Sequence, residues 1–164
     1  MNKTSGKLKK IQELCLSKNL MISTAESCTG GYLSKFLTDI SGSSKFYAGS
    51  VIAYSNSVKN ELLDVPNDIL KKYGAVSKEV SLLMAEGIFK STKSEIAIST
   101  TGVMETDGST ESKKPQVFIT IKSEKTHVSS HFYLHDERDT NRKKTVNHAL
   151  DCLYDFINNH YLVS

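Results

Sequence analysis

The stretch TAESCTGG, residues 24–31, packs three hydroxyl residues, a carboxylate, a thiol and two glycines into eight positions. It lies between the apolar run Leu20-Met21-Ile22 and an amphipathic segment that begins at Tyr32. A serine at such a strand-to-helix turn has the N–H groups of the following helix near its Oγ. Those groups and the helix dipole can stabilise an oxyanion. Ser27 is therefore a candidate nucleophile, and the glycines let a substrate approach the backbone closely. The same turn fits a plainer role, because Ser27 or Thr29 is also a good helix cap. Glu26 can hold a lysine, orient a substrate hydroxyl, or favour the helix N-terminus by its charge. Cys28 can be an activated thiol at a helix N-terminus or a small buried residue.

A serine nucleophile needs a base. His127 and His131 fall in a predicted hairpin, and His135, His148 and His160 fall in or beside the last helix. None follows the predicted strand ends, which argues against a Ser-His-Asp triad. A lysine can serve if desolvation keeps it neutral. Lys59 follows the second strand end through YSNSVK. It reaches Ser27 if its helix packs beside the first turn; otherwise it is a solvated lysine on a helix face. Arg138 and Arg142, four apart, share a helix face. They can meet a phosphate or pair with Glu137 or Asp139. Asp107-Gly108 reads as a turn.

Hydrophobic spacing supplies the elements that must position these groups. A helix is predicted over residues 4–18, with the stripe Leu8, Ile11, Leu14 and Cys15. A strand over 21–25 runs into the serine turn, and a helix over 32–39 follows, broken by SGSS at 41–44. The run Val51-Ile52-Ala53 suits a strand buried on both faces, over residues 46–54. Ser55 or Ser57 opens a helix over 56–63, and Pro66 suits the first position of a short helix ending at Tyr73. Ser77 caps a helix reaching about residue 89, with Val80, Leu83, Met84 and Ile88 facing inward. A third strand covers 95–101, an irregular loop 103–114, and an antiparallel hairpin 117–121 and 127–134. The last helix spans 138–158. Strands alternating with helices, then a hairpin, give an α/β sandwich with a mixed sheet. Three polar clusters, at 24–31, 54–59 and 100–114, fall at strand carboxyl ends, where open α/β sheets bind ligands.

Bulk properties narrow the function classes. A chain of 164 residues fits one domain, 1–164. Its net charge is +3 and its lysine pairs are scattered, so no nucleic-acid partner is expected. Three cysteines without a CxxC disfavour a disulfide framework or a metal site. The N-terminal residues lack an apolar signal core and no run matches a membrane span, so a cytoplasmic protein without membrane association is expected.

The segments together resemble the C-terminal domain family of the competence/damage-inducible protein CinA, whose stand-alone members are nicotinamide-nucleotide amidases. The resemblance rests on TAESCTGGYLSKFLTDISGSSKFYAGSVIAYSNSVKNELLDV, then YGAVSKEVSLLMAEGI, then ISTTGV, and more loosely ERDTNRKK. It covers nearly the whole chain. It implies a three-layer α/β/α sandwich with a mixed, mostly parallel sheet. The implied reaction converts nicotinamide mononucleotide and water to nicotinate mononucleotide and ammonia, without metal or organic cofactor. By the resemblance Ser27 is the nucleophile and Lys59 the general base. Backbone N–H groups at Thr29, Gly30 and Gly31 hold the oxyanion. Glu26, Tyr54, Asn56, Thr101 and Gly102 line the site, and Arg138 and Arg142 meet the nucleotide phosphate. A homo-oligomer is implied.

One segment departs from the family pattern. TGIAGP and KPVG become TGVMETDG and KPQV, with Val117 at the glycine position. Met104 and Glu105 are then expected to crowd the substrate, and Glu105 and Asp107 to repel a phosphate. Two further readings follow: a weakly active or inactive member that binds a nucleotide or a protein partner, and an amidase with a changed substrate.

Overall fold

The three apolar runs at Ile22, Tyr47 and Ile96 form one parallel unit, and the hairpin extends it. The computed structural model describes residues 3–109 and 114–161. Strands β1 (Ile22–Glu26), β2 (Tyr47–Ile52), β3 (Ile96–Val103), β4 (Gln116–Lys122) and β5 (His127–Tyr133) make one sheet in the order β2-β1-β3-β4-β5. β1 pairs in parallel with β2 and β3. β4 runs antiparallel to β3 and β5, so the sheet is mixed. The parallel pairings put the carboxyl ends of β1, β2 and β3 on one rim.

Six helices cover the two faces: α1 (Lys3–Lys18), α2 (Tyr32–Thr38), α3 (Asn56–Leu63), α4 (Asn67–Tyr73), α5 (Lys78–Thr92) and α6 (Arg138–Tyr161). Leu8, Ile11 and Cys15 of α1, Leu33 and Leu37 of α2, and Leu150 and Leu153 of α6 pack on Ile22, Ile98 and Ile119. On the other face Leu63, Leu70, Val80, Met84 and Ile88 close over Ala25 and Ala97. The chain is thus a three-layer α/β/α sandwich. Among the described residues no helix is long and apolar enough to cross a membrane.

Two local expectations change. β2 is an edge strand rather than one buried on both faces, and Ile52 is 50% exposed. Val51 and Ala53 pack into the core beneath α3 and α5, while Ile52 lies against the serine turn, where a side chain at Gly31 would press on its Cδ1 at 2.9 Å. Pro66 sits one residue earlier than expected, at the N-cap of α4. Ser55 and Ser77 cap α3 and α5 through the N–H groups of Val58 and Val80.

Helix α2 is capped in an unexpected way. Neither Ser27 nor Thr29 is its N-cap; that position is Gly31, in the left-handed region with φ 93°. Gly30 is also left-handed, with φ 58°. Two successive positive φ values suit glycine, which has no Cβ to clash. They fold the turn back over the end of β1, so that the Glu26 carboxylate lies beneath the first turn of α2. It accepts the N–H of Gly31 at 3.0 Å, of Leu33 at 3.1 Å and of Ser34 at 2.7 Å. It also accepts the hydroxyls of Thr29 at 2.7 Å and of Ser34. The donors left open at a helix start are thereby satisfied from the preceding strand. Glu26 is fully buried. Replacing one carboxylate oxygen by an amide N–H would turn donors against a donor. Glu26→Gln is expected to cost on the order of 2 kcal/mol and to lower Tm by roughly 6 °C, read by thermal melting followed by circular dichroism. An unchanged Tm would contradict this role.

Candidate active site

Ser27 is the first residue beyond β1, and its N–H donates to Thr100 O at 2.9 Å. That bond continues the β1–β3 ladder by one step and fixes Ser27 at the rim. Ala53 likewise follows β2, and its N–H donates to Glu26 O at 2.8 Å. The chain then turns into α3, and Lys59 on the second turn of α3 points back at Ser27. Its Nζ donates to Ser27 Oγ at 3.0 Å, to Ala53 O at 2.8 Å and to Tyr54 O at 3.3 Å. Lys59 is 1% exposed and Ser27 8%. Among the described residues no carboxylate pairs with the amine. Burial therefore lowers the Lys59 pKa below its ordinary 10.5.

Two carbonyl oxygens and one hydroxyl take the amine. The same three groups would also satisfy a neutral amine, with its two N–H groups on the carbonyls and its lone pair toward the Ser27 hydroxyl. No histidine lines the pocket around this pair.

Other pocket walls come from distant segments. The pocket has a volume of about 260 Å³ and is bounded by Ser27, Cys28, Tyr54, Lys59, Thr101 and Met104, among others. Ala75 and Val76, just before α5, close one side. Thr101 Oγ1 donates to Ala75 O at 2.7 Å and holds that loop against β3. Gly102 also lines the pocket. A Cβ there would stand 2.3 Å from Gln116 O, so only glycine allows β4 to pair so closely at this step. Tyr54 lies at the mouth, where Arg138 Nη2 donates to its hydroxyl at 2.8 Å.

Several expected site residues stand elsewhere. Glu26 does not line the pocket, because its carboxylate faces α2. The N–H of Gly30 donates to Ser27 O at 3.1 Å, and that of Gly31 to Glu26. Neither N–H is open to an oxyanion. The two donors of this turn without an acceptor among the described residues are the N–H groups of Cys28 and Thr29. The Thr29 hydroxyl bridges Glu26 and Thr100 Oγ1, at 2.7 and 2.8 Å. Asn56 is exposed on the first turn of α3 and outside the pocket.

Arg138 and Arg142 make no ion pair with Glu137 or Asp139; Asp139 pairs with Lys143 at 2.6 Å. Arg142 Nε donates to Cys28 O at 3.2 Å. Cys28 is buried and its thiol is pushed up to about 12 by desolvation, so it is a thiol at neutral pH and no nucleophile. Of the departing loop, Met104 does enter the pocket wall and is 2% exposed. Glu105 does not. It is exposed and borders a separate cavity of about 720 Å³ with Pro115, Leu134 and His135. Ala75, Val76 and Val103 were not among the expected site residues. The GAVS stretch before the Ser77 cap was the available signal for the first two, since a loop entering a helix there must border a strand end.

A model of the CinA C-terminal domain matches residues 5–157. A CinA-like protein of Cytophaga hutchinsonii is 40% identical over 137 residues, 83% of this chain and 33% of its own length. A CinA-like protein of Endomicrobium trichonymphae is 44% identical over 142 residues, 85% of this chain and 33% of its own. The chain spans about a third of the length of these relatives. The crystal structure of competence/damage inducible protein CihA from Agrobacterium tumefaciens matches with a TM-score of 0.88 at 30% identity, covering 94% of this chain and 96% of that one. That of the competence damage-inducible protein A from Klebsiella pneumoniae matches with a TM-score of 0.92 at 24% identity, covering 98% and 99%, a likeness of fold. With its serine turn, its lysine and both helical layers inside the matched span, this chain belongs to the CinA C-terminal domain family.

Proposed function

We propose that the chain is a serine–lysine amidohydrolase that converts nicotinamide mononucleotide and water to nicotinate mononucleotide and ammonia. The observation that carries this reading is the 3.0 Å contact between the buried Lys59 amine and Ser27 Oγ. The substrate follows from the family resemblance. Ser27 Oγ attacks the carboxamide carbon while neutral Lys59 takes its proton. The oxyanion forms near the N–H groups of Cys28 and Thr29. Lys59 returns the proton to the leaving nitrogen, ammonia departs, and an ester to Ser27 remains. Water, deprotonated by Lys59, then attacks the ester; the acyl–oxygen bond to Ser27 breaks, Lys59 returns its proton to Ser27 Oγ, and the carboxylic acid is released and ionises to the carboxylate. Arg138, at the mouth beside Tyr54, offers its remaining guanidinium N–H groups to an anion such as the phosphate.

Met104 favours a second reading, an amidase acting on a different amide. A buried methionine in the wall of a pocket of about 260 Å³ changes its shape near the reacting carbon.

Ammonia release from nicotinamide mononucleotide tests the first reading. Wild-type turnover that falls by about 10³-fold or more in Ser27→Ala supports the covalent route. Equal rates in both proteins exclude Ser27 as nucleophile. Lys59→Met is expected to abolish turnover while the far-ultraviolet dichroism stays native; retained turnover identifies another base.

The pH profile is a separate check. Lys59 acts in its neutral form, so kcat/KM falls as pH drops through the lowered lysine pKa and levels off above it. The acid limb is expected to fit one proton and to lie below 10.5, the ordinary lysine value. A flat profile across that range contradicts the role of Lys59.

A further inference from the structure

We propose that Arg142 is a positioning residue for the oxyanion donor, and not a phosphate ligand. This inference rests on the serine acyl-transfer reading above. Arg142 lies half-buried on the second turn of α6, on the opposite face of the sheet from α3. Its Nε–H donates to Cys28 O at 3.2 Å. A Cβ added at Gly30 would stand 3.6 Å from Arg142 Nη2, so the guanidinium lies along the back of the serine turn.

The peptide that Arg142 holds is the one that joins Cys28 to Thr29. In a trans peptide the N–H points opposite to the C=O. With Cys28 O aimed at α6, the Thr29 N–H points away from α6, toward the side from which Lys59 approaches Ser27. Among the described residues that N–H has no acceptor. A cationic donor on the carbonyl of a peptide also polarises its N–H, because hydrogen bonds in series strengthen one another. Arg142 thus fixes the direction of the Thr29 N–H and sharpens its partial charge. The rest of the turn is pinned by other bonds. The Thr29 hydroxyl is tied to Glu26 and Thr100, and the Gly30 N–H to Ser27 O. The Cys28–Thr29 peptide has Arg142 as its one side-chain partner among the described residues.

The two roles separate kinetically. A phosphate ligand acts on ground-state binding of phosphate-bearing substrates. An oxyanion-positioning residue acts on the transition state of any amide. Arg142→Met keeps the apolar stem and removes the donor; Arg142→Lys keeps the charge and loses the fixed planar fork. Each is to be assayed with nicotinamide mononucleotide and with its phosphate-free riboside. Arg142→Met is expected to lower kcat about 30-fold on both substrates with KM little changed, a fraction of the loss seen on deleting an oxyanion donor outright. Arg142→Lys should recover part of the rate. A rise in KM confined to the mononucleotide, with kcat intact, would overturn the inference in favour of a phosphate contact.

Labelling by a fluorophosphonate provides a readout independent of the natural substrate. Ser27 Oγ attacks phosphorus, its proton goes to Lys59, and fluoride leaves. Arg142→Met should slow labelling on the order of tenfold, and Ser27→Ala should take no label. Labelling of Arg142→Met at the wild-type rate sinks the Arg142 role while leaving Ser27 as nucleophile. Wild-type protein that neither labels nor turns over sinks the acyl-transfer reading, and the Arg142 role with it. Native melting of each variant excludes loss of fold as the cause.

Discussion

The site depends on keeping one amine out of water without giving it a counter-charge. Transferring a charged lysine into a protein interior costs several kcal/mol. A carboxylate partner would offset that cost and hold the proton on. Here the partners are two backbone carbonyls and a serine hydroxyl. They satisfy an amine in either protonation state but do not favour the cation as a carboxylate would. The rest of the fold keeps this arrangement dry. The β2–α3 junction supplies both carbonyls, and Leu63, Val65 and Ala53 pack around the end of α3. A buried amine beside a serine, without a carboxylate partner, is thus a consequence of where a helix starts after an edge strand.

The nearest available carboxylate is turned the other way. Glu26 precedes Ser27 directly, and in a strand successive side chains face opposite sides. Lys59 approaches from the α3 side, while Glu26 lies under α2. Its carboxylate satisfies the start of α2 so completely that neither Ser27 nor Thr29 is needed as a cap. One residue thereby has two effects. It leaves the serine hydroxyl for Lys59, and its carboxylate is turned to donors on the α2 side, away from the amine. The later N–H groups of the turn belong to Glu26 and to the turn itself, which leaves those of Cys28 and Thr29 without a backbone acceptor among the described residues.

This division explains what the sequence could tell. The alternation of strands and helices and the caps at Ser55 and Ser77 follow from local patterns. The meeting of Ser27 with Lys59 does not: local patterns leave Lys59 equally open to a solvated helix face, and only the family resemblance pairs the two residues. The run Val51-Ile52-Ala53 reads as a strand buried on both faces, yet Val51 and Ala53 join the core while Ile52 lies half-exposed at the sheet edge, and composition does not show which strand is the edge. The Glu26 cap was hidden because its acceptor role spans five to eight residues and depends on two left-handed glycines, a geometry outside the usual cap spacing. Arg138 and Arg142 were correctly placed on one helix face. Their partners, a tyrosine hydroxyl and a carbonyl, come from segments more than eighty residues away, beyond the reach of any local rule.

The departing loop also has a physical account. Met104 stands just beyond the end of β3, and its side chain is buried in the pocket wall. Its carbonyl accepts Asn141 Nδ2 at 2.7 Å, and Asn141 is fully buried. The loop is therefore anchored to α6, the helix that also carries Arg138 and Arg142. The Ser27–Lys59 contact is held by β1, β2 and α3. The Met104 part of the pocket wall, Arg138 and Arg142 are held by β3 and α6. A change at the end of β3 can therefore reshape the pocket without touching the Ser27–Lys59 contact. On the proposed acyl-transfer reading, substrate choice could then change at the Met104 wall while the serine and lysine stay in place.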